Sequence, residues 1–277
     1  MIGIKSNRNG ETQRNGVAAT VYHALRPTAE ATLLNGRYRL RSEARPNHTG
    51  ERDYALLQTL ARGKQCIFDV GANVGLTMLV MAETMAADGR LVAFEASEKG
   101  CYLIRDNAAL NGLSARVQVV NALVSDRSGY ALDFFGDAAS GSASVIPGYL
   151  AHHRALRKAT LALDDFVART ALLPEFIKID VEGAELAVLA GLATTMRAVR
   201  PLIFVELHSW GDMTVPGTAA RLLPQLAEMG YHMIYLRTKA VVNDPAELAG
   251  RGRCHVLLCP DGRPLPDALA TFDTTGL

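Results

Sequence analysis

The stretch Cys66-Ile-Phe-Asp-Val70, followed by Gly71-Ala-Asn-Val-Gly75 and then by Leu76 to Ala87, constrains the fold of this chain more than any other. A short apolar run suits a strand buried on both faces, and here a helical stretch follows it across two glycines. The same order then repeats. Leu91-Val-Ala-Phe94 precedes a helical stretch from Lys99 to Leu110, and Val117-Gln-Val-Val120 is a third run. Phe176-Ile-Lys-Ile179 precedes Ala184 to Leu192, and Leu202 to Leu207 precedes a helix near Ala219 to Met229. Tyr231 to Leu236 and His255 to Leu258 close the series. Strands alternating with helices predict an α/β, Rossmann-like fold, with about seven strands in a mostly parallel sheet and helices on both faces.

Two regions break this rhythm. Residues 1–35 carry weak periodicity and read as an N-terminal extension, with a loose helix around Val17 to Leu25; residues 36–277 form the folded domain. Gly36 to Arg41 alternates like a half-exposed strand, Pro46, Asn47 and Gly50 mark a turn, and Glu51 to Arg62 has helical spacing up to Gly63. The other break is an insertion between the third and fourth sheet strands, Ser125 to Ala159. It holds a strand (Tyr130 to Phe135), a small-residue stretch (Ala138 to Ser144) and a basic helical piece (Tyr149 to Lys158). A short helix opened by Asp164 and Asp165 follows, with its carboxylates at a helix N-terminus. Insertions of this kind shape sites more often than cores.

Composition narrows the function classes. Apolar residues make up 49% of the chain, which excludes a disordered protein, and the net charge of +1 gives no general surface for nucleic acid or anionic membranes. Met1 to Gly16 has no apolar signal core, and nowhere do about 18 apolar residues run together, so no membrane span is expected. The expectation is a cytoplasmic protein acting on a small molecule, and a homo-oligomer is compatible with it. Cys66, Cys101, Cys254 and Cys259 lack metal-ligand spacing and read as buried thiols.

Asp69 to Gly75 leaves a strand end and opens a helix, where glycines admit a ligand close to the backbone and exposed amides favour a negative group. The dinucleotide fingerprint needs glycine at the first, third and sixth positions. Counted from Gly71, Asn73 and Leu76 stand in the last two, so an NAD-type pyrophosphate is disfavoured. Glu95 ends the second strand, placed to accept hydrogen bonds from a ribose diol. Adenosine with a tail other than phosphate fits S-adenosylmethionine (SAM) better than NAD.

Asp69 to Gly75, Glu95, Asn121-Ala122, Leu163-Asp164-Asp165, Pro201 to His208 and above all Ile177-Lys-Ile-Asp-Val-Glu-Gly-Ala-Glu185 resemble the FkbM family of class I SAM-dependent methyltransferases. The resemblance is dense from Ile67 to Leu207 and says nothing of residues 1–35. It implies a seven-stranded sheet, SAM as methyl donor, and a hydroxyl of a sugar, lipid or polyketide-like acceptor. It places Asp69, Gly71, Ala72, Asn73, Gly75, Glu95, Ala96, Asn121, Ala122 and Asp180 at the cofactor.

A hydroxyl acceptor must lose its proton, so candidate catalytic groups should project from central strand ends. Asp180, Glu182, Glu206 and His208 do so. Asp180 follows the fourth strand and suits the SAM amino group, the acceptor or a base. Glu182 is either catalytic or compensates a helix dipole, and Glu185 reads as structural. Lys178, mid-strand between isoleucines, must find a carboxylate, as an ion pair between strands or as a catalytic group. Glu206 and His208 share a strand face, and an ordinary imidazole pKa near ~6.5 would make His208 a general base. Asp180 with Glu206 is the alternative pair for Mg²⁺, although the resemblance requires no metal. His48, His152 and His153 read as solvated, and Arg154, Arg157 and Lys158 as a solvated face or a contact to an anionic glycan. Three functions follow: an O-methyltransferase on a small molecule or glycan, a protein or nucleic-acid methyltransferase, or a SAM-binding module without catalysis. The absence of an Asn-Pro-Pro-Tyr type motif after the fourth strand weighs against nucleic acid.

Overall fold

The computed structural model describes residues 26–44, 51–137, 142–145, 155–275 and 277. The expected helix at Val17 to Leu25, the turn at Pro46 to Gly50, and His48, His152, His153 and Arg154 lie outside the described residues.

A hairpin of β1 (Thr28–Leu33) and β2 (Gly36–Arg41) comes first among the described residues. The sequence reading found β2 and missed β1, although Thr28 to Leu33 also alternates before Asn35-Gly36. Then come α1 (Glu51–Ala61), β3 (Cys66–Val70), α2 (Leu76–Thr84), β4 (Arg90–Glu95), α3 (Glu98–Leu110) and β5 (Val117–Asn121). After the insertion follow α4 (Leu163–Thr170), β10 (Phe176–Ile179), α5 (Glu185–Ala190), α6 (Ala193–Val199), β11 (Leu202–His208) and α7 (Val215–Met229). The main sheet ends with β12 (Tyr231–Tyr235), β13 (Ala240–Val241) and β14 (Arg253–Pro260), and α8 (Asp267–Ala270) closes the chain. No described helix is long and apolar enough to cross a membrane.

The fold is α/β and Rossmann-like. The main sheet has the order β13-β12-β14-β11-β10-β3-β4-β5. From β11 to β5 the pairs are parallel, and β14 runs antiparallel between β11 and β12. Seven strands were expected; the eighth is the two-residue β13, too short to leave a pattern in the sequence. Both faces are buried, as the continuous apolar runs require. Alternation along β3 sends Ile67 to one core and Phe68 to the other. Phe68, Phe94 and Phe166 meet edge to face, with centroids 4.9 to 5.6 Å apart, and so seat α4 on the sheet. All four cysteines are free and buried.

The insertion folds as β6 (Leu123–Val124), β7 (Ala131–Asp137), β8 (Ser142–Ser144) and β9 (Leu156–Leu161), a small sheet in the order β6-β9-β7-β8. Here the expected basic helix is corrected: Leu156, Arg157 and Lys158 begin β9, where cross-strand bonds to β7 override local helical spacing. Arg157 pairs with Asp133 on the opposed strand, and Lys158 with Glu98. The Asp164 carboxylate also differs from expectation. It accepts from Thr194 N, Thr195 N and Thr195 Oγ1 at 2.7 to 2.8 Å, so it caps α6 rather than its own helix.

Candidate functional site

The site is built where β3, β4, β10 and β11 end. After Val70 the chain turns through Gly71 (φ 77°), Asn73 (φ 52°) and Gly75 (φ 87°). Gly71 is required by its neighbour: a Cβ there would stand 1.8 Å from the Asp180 carbonyl oxygen. Without one, the loop lies directly on the end of β10.

Beneath the loop sits an ionic group in which Lys178 and Asp69 are buried and Asp180 is half-buried. Parallel register sets Lys178 of β10 beside Asp69 of β3. The Lys178 Nζ donates to the Gly71 carbonyl oxygen at 3.0 Å and pairs with Asp180 Oδ2 at 3.3 Å and Asp69 Oδ1 at 3.5 Å. Thr77 Oγ1 donates to the other Asp69 oxygen at 2.7 Å. Burial works against the Lys178 charge, but the carboxylates of Asp180, Asp69 and Glu206 outweigh it and leave its pKa raised. Burial pushes the Asp69 carboxyl up while Lys178 pulls it back. Lys178 and Asp69 thus fasten the loop from below.

Glu95 reaches the loop from β4. Its Oε1 accepts from Ser97 N at 2.7 Å and its Oε2 from Asn73 N at 2.9 Å. Burial raises its pKa to about 7 against those two amides. Asn121 Nδ2 donates to the carbonyls of Glu95 and Ala96, so it braces the strand end from behind. Above lies a cleft of about 700 Å³, part of it open to solvent, within the range of small-molecule sites. Gly71, Asn73, Glu95, Ala96, Ala122 and Asp180 line it, whereas Asp69, Ala72, Gly75, Asn121 and Lys178 do not. The insertion, expected from sequence to shape a site, contributes Phe134 and Val145 to its apolar wall; which of its residues reach the cleft is decided only in three dimensions. The Asn73 side-chain oxygen is buried without a hydrogen-bond partner.

Glu182 and Asp180 form one end of the cleft, and Glu182 also lines a second cleft with His208, Trp210, Arg251 and Arg253. At this junction carboxylates ring the His208 imidazole. Its Nδ1 lies 3.0 Å from Glu185 Oε1; its Nε2 lies 3.5 Å from Glu182, 3.6 Å from Glu206 and 3.9 Å from Asp180. Burial would lower the His208 pKa, but the Glu185 hydrogen bond and the Asp180 and Glu182 charges raise it to about 9. The surrounding carboxylates thus favour the protonated imidazole over the ordinary one assumed from sequence for a general base.

Glu206 and His208 do share a face, but Glu206 turns toward β14, whose antiparallel register sets His255 opposite it. It pairs with Arg253 at 3.1 Å and His255 at 3.5 Å, and His255 continues to Asp53 at 3.6 Å. Burial alone would raise the Glu206 pKa; His255 and its other cationic neighbours bring it down to about 2. Glu206, one half of the alternative Mg²⁺ pair, is thus engaged by β14, whereas Asp180, Glu182 and His208 each bring one ligand atom within 4.8 Å of the others. Asp53, His255 and Arg253 were missed because nothing local marks a pairing made across the sheet.

The model of the FkbM methyltransferase domain matches residues 69–233. A search of curated proteins finds no match. Among solved structures, the chain is 13% identical to the FkbM methyltransferase of Methylobacillus flagellatus KT, over 72% of this chain and 44% of that one, with a TM-score of 0.44. The chain thus spans less than half of that protein's length. It is 17% identical to an O-methyltransferase from Bacillus cereus in complex with SAH, over 93% and 92% of the chains (TM-score 0.46). It is 14% identical to cofactor-bound Rv0187 from MTB, over 94% and 100% (TM-score 0.48). Likenesses this distant carry no argument about activity.

Proposed function

This chain belongs to the FkbM family of SAM-dependent methyltransferases, and on that premise we propose that it methylates a hydroxyl of a small-molecule, sugar or polyketide-like acceptor. The observation that carries the reading is the meeting of two clefts at Glu182, beside Asp180: one lined by Glu95, Asn73 and apolar side chains, the other edged by Glu182, His208, Trp210, Arg251 and Arg253.

The first cleft suits the cofactor by its donor set. Glu95 keeps lone pairs beyond the two used by Asn73 N and Ser97 N, enough to accept from a ribose diol. The orphaned Asn73 oxygen offers another acceptor, and Phe94, Leu123 and Phe134 give apolar surface for a flat base. Gly71, Asn73, Glu95, Ala96, Ala122 and Asp180 would hold SAM, whose sulfonium supplies an electrophilic methyl and departs as a neutral thioether.

The chain's own contribution is to position. Displacement at carbon needs the attacking oxygen in line with the leaving sulfur, so the rigidity of the cleft junction matters more than any single charge. Lys178 fixes Asp180 Oδ2, and Oδ1, buried without a hydrogen bond, faces the junction. The acceptor oxygen is held there, and its proton leaves to the surrounding carboxylates as the oxygen–carbon bond forms. A radiolabelled-methyl assay over hydroxylated acceptors tests the proposal. Asp180→Asn should lose transfer by about a hundredfold or more at saturating SAM, well beyond any loss of SAH affinity. Transfer to amines or to nucleic acid, with none to hydroxyls, would refute it.

A further inference from the structure

We propose that Asp180, Glu182 and His208 hold a divalent cation at the junction of the two clefts, through one oxygen of each carboxylate and Nε2 of the imidazole, whose proton the cation displaces to solvent. Their ligand atoms lie within 4.8 Å of one another, with Nε2 at 3.5 Å from Glu182 Oε2 and 3.9 Å from Asp180 Oδ1. Ligands about 2.1 to 2.4 Å from a cation stand roughly 3 to 3.4 Å apart at right angles and farther apart across it. A cation would draw these three groups in by a few tenths of an ångström.

Two observations beyond the charge of the cluster point to a ligand. Asp180 Oδ1 is buried and has no hydrogen-bond partner. His208 is only 6% exposed; its Nδ1 is tied to Glu185, while Nε2 faces carboxylate oxygens too distant for good hydrogen bonds. A carboxylate behind the imidazole, fixing one ring nitrogen so that the other points at a common centre, is how proteins orient a metal-binding histidine. Glu185 is itself held, 1% exposed, by Gly183 N at 2.9 Å. Glu182 takes a left-handed backbone (φ 53°) before Gly183, which sends its side chain back toward His208.

Two carboxylates with one imidazole favour a first-row cation such as Mn²⁺ over Mg²⁺ or Ca²⁺, which prefer oxygen alone. Three protein ligands leave positions open, and an acceptor hydroxyl bound in one of them would ionise more readily. That catalytic consequence rests on the methyl-transfer reading above; the binding does not.

The test is titration of the full, metal-stripped chain with MnCl₂, followed by loss of the free-Mn²⁺ electron paramagnetic resonance signal and by calorimetry. One Mn²⁺ per chain is expected. Glu182→Gln and His208→Gln should each weaken it by more than about tenfold, and Glu185→Gln by about tenfold. Because His208 and Glu185 are buried, the partly exposed Glu182→Gln keeps the test decisive if those variants melt early. No binding by folded wild type at millimolar Mn²⁺, or unchanged binding in Glu182→Gln, would overturn the proposal. Methyl transfer that survives a chelator in a chain that binds no Mn²⁺ would overturn the cation and leave oxygen methylation standing. Mn²⁺ binding in a chain that methylates no hydroxyl would do the reverse.

Discussion

Replacing Lys178 by methionine keeps most of its volume and removes its charge, which leaves Asp69 buried with no cation beside it. Asp69 is 0% exposed, so no water can replace the ammonium without rearrangement. Removing one partner of a buried pair typically costs about 3–5 kcal/mol. A ceiling follows independently, because the carboxyl can escape by protonation. From its ordinary pKa of 3.8, this costs about 1.4 kcal/mol per unit, or about 4 kcal/mol at pH 7. The two routes agree on a loss of about 3–4 kcal/mol at pH 7. The sign with pH is also fixed. A carboxyl whose folded pKa is raised binds its proton more tightly folded than unfolded, so its penalty grows as pH rises above 3.8 and up to the folded pKa. Urea unfolding of Lys178→Met should therefore show the deficit shrinking as pH falls from 7 and Asp69 takes up its proton, by at most about 1.4 kcal/mol per unit. Asp69→Asn in the same background should recover most of it. A deficit below about 1 kcal/mol, one indifferent to pH, or one that Asp69→Asn leaves untouched would refute the claim that this pair fastens the loop to the sheet.

The remaining predictions concern the same strand ends. The raised Glu95 pKa of about 7 means that ribose hydroxyls must compete with a proton below neutrality. SAH affinity measured by calorimetry should fall by up to about tenfold per pH unit below 7, and a Glu95→Gln variant with the same pH slope would contradict this. Gly71→Ala should destabilise by more than about 2 kcal/mol and abolish SAH binding, because its Cβ would collide with the Asp180 carbonyl. Gly63→Ala is the control: it has a similar φ of 70° with open space around it, and should cost only about 1 kcal/mol in a thermal melt. Asp164→Ala should cost about 1–2 kcal/mol by uncapping α6 without changing SAH affinity, and an altered affinity would place Asp164 at the site instead.

Much of this protein was legible in the chain itself, because buried parallel strands demand continuous apolar runs. Ile67 to Val70, Leu91 to Phe94 and Leu202 to Leu207 therefore announced the sheet, and the glycines after β3 announced where it turns toward a ligand. Periodicity also marked Lys178 as a charge in the wrong place, which could persist only with a carboxylate beside it. What it could not say was which carboxylate, since only the β3–β10 register sets Asp69 there. The same limit misread Leu156 to Lys158 as helix, because their pairing with β7 is decided by residues far along the chain. It governed the site as well. Glu95 and Asp180 could be picked out by position at strand ends, but the apolar wall from Phe134 and the ring of acids around His208 depend on the insertion folding back and on β10 lying beside β11. Local sequence determined which elements form and which of their ends carry chemistry; tertiary packing decided the partners of each buried charge, and with them the protonation of His208, because the energy of a buried charge is set by neighbours in space.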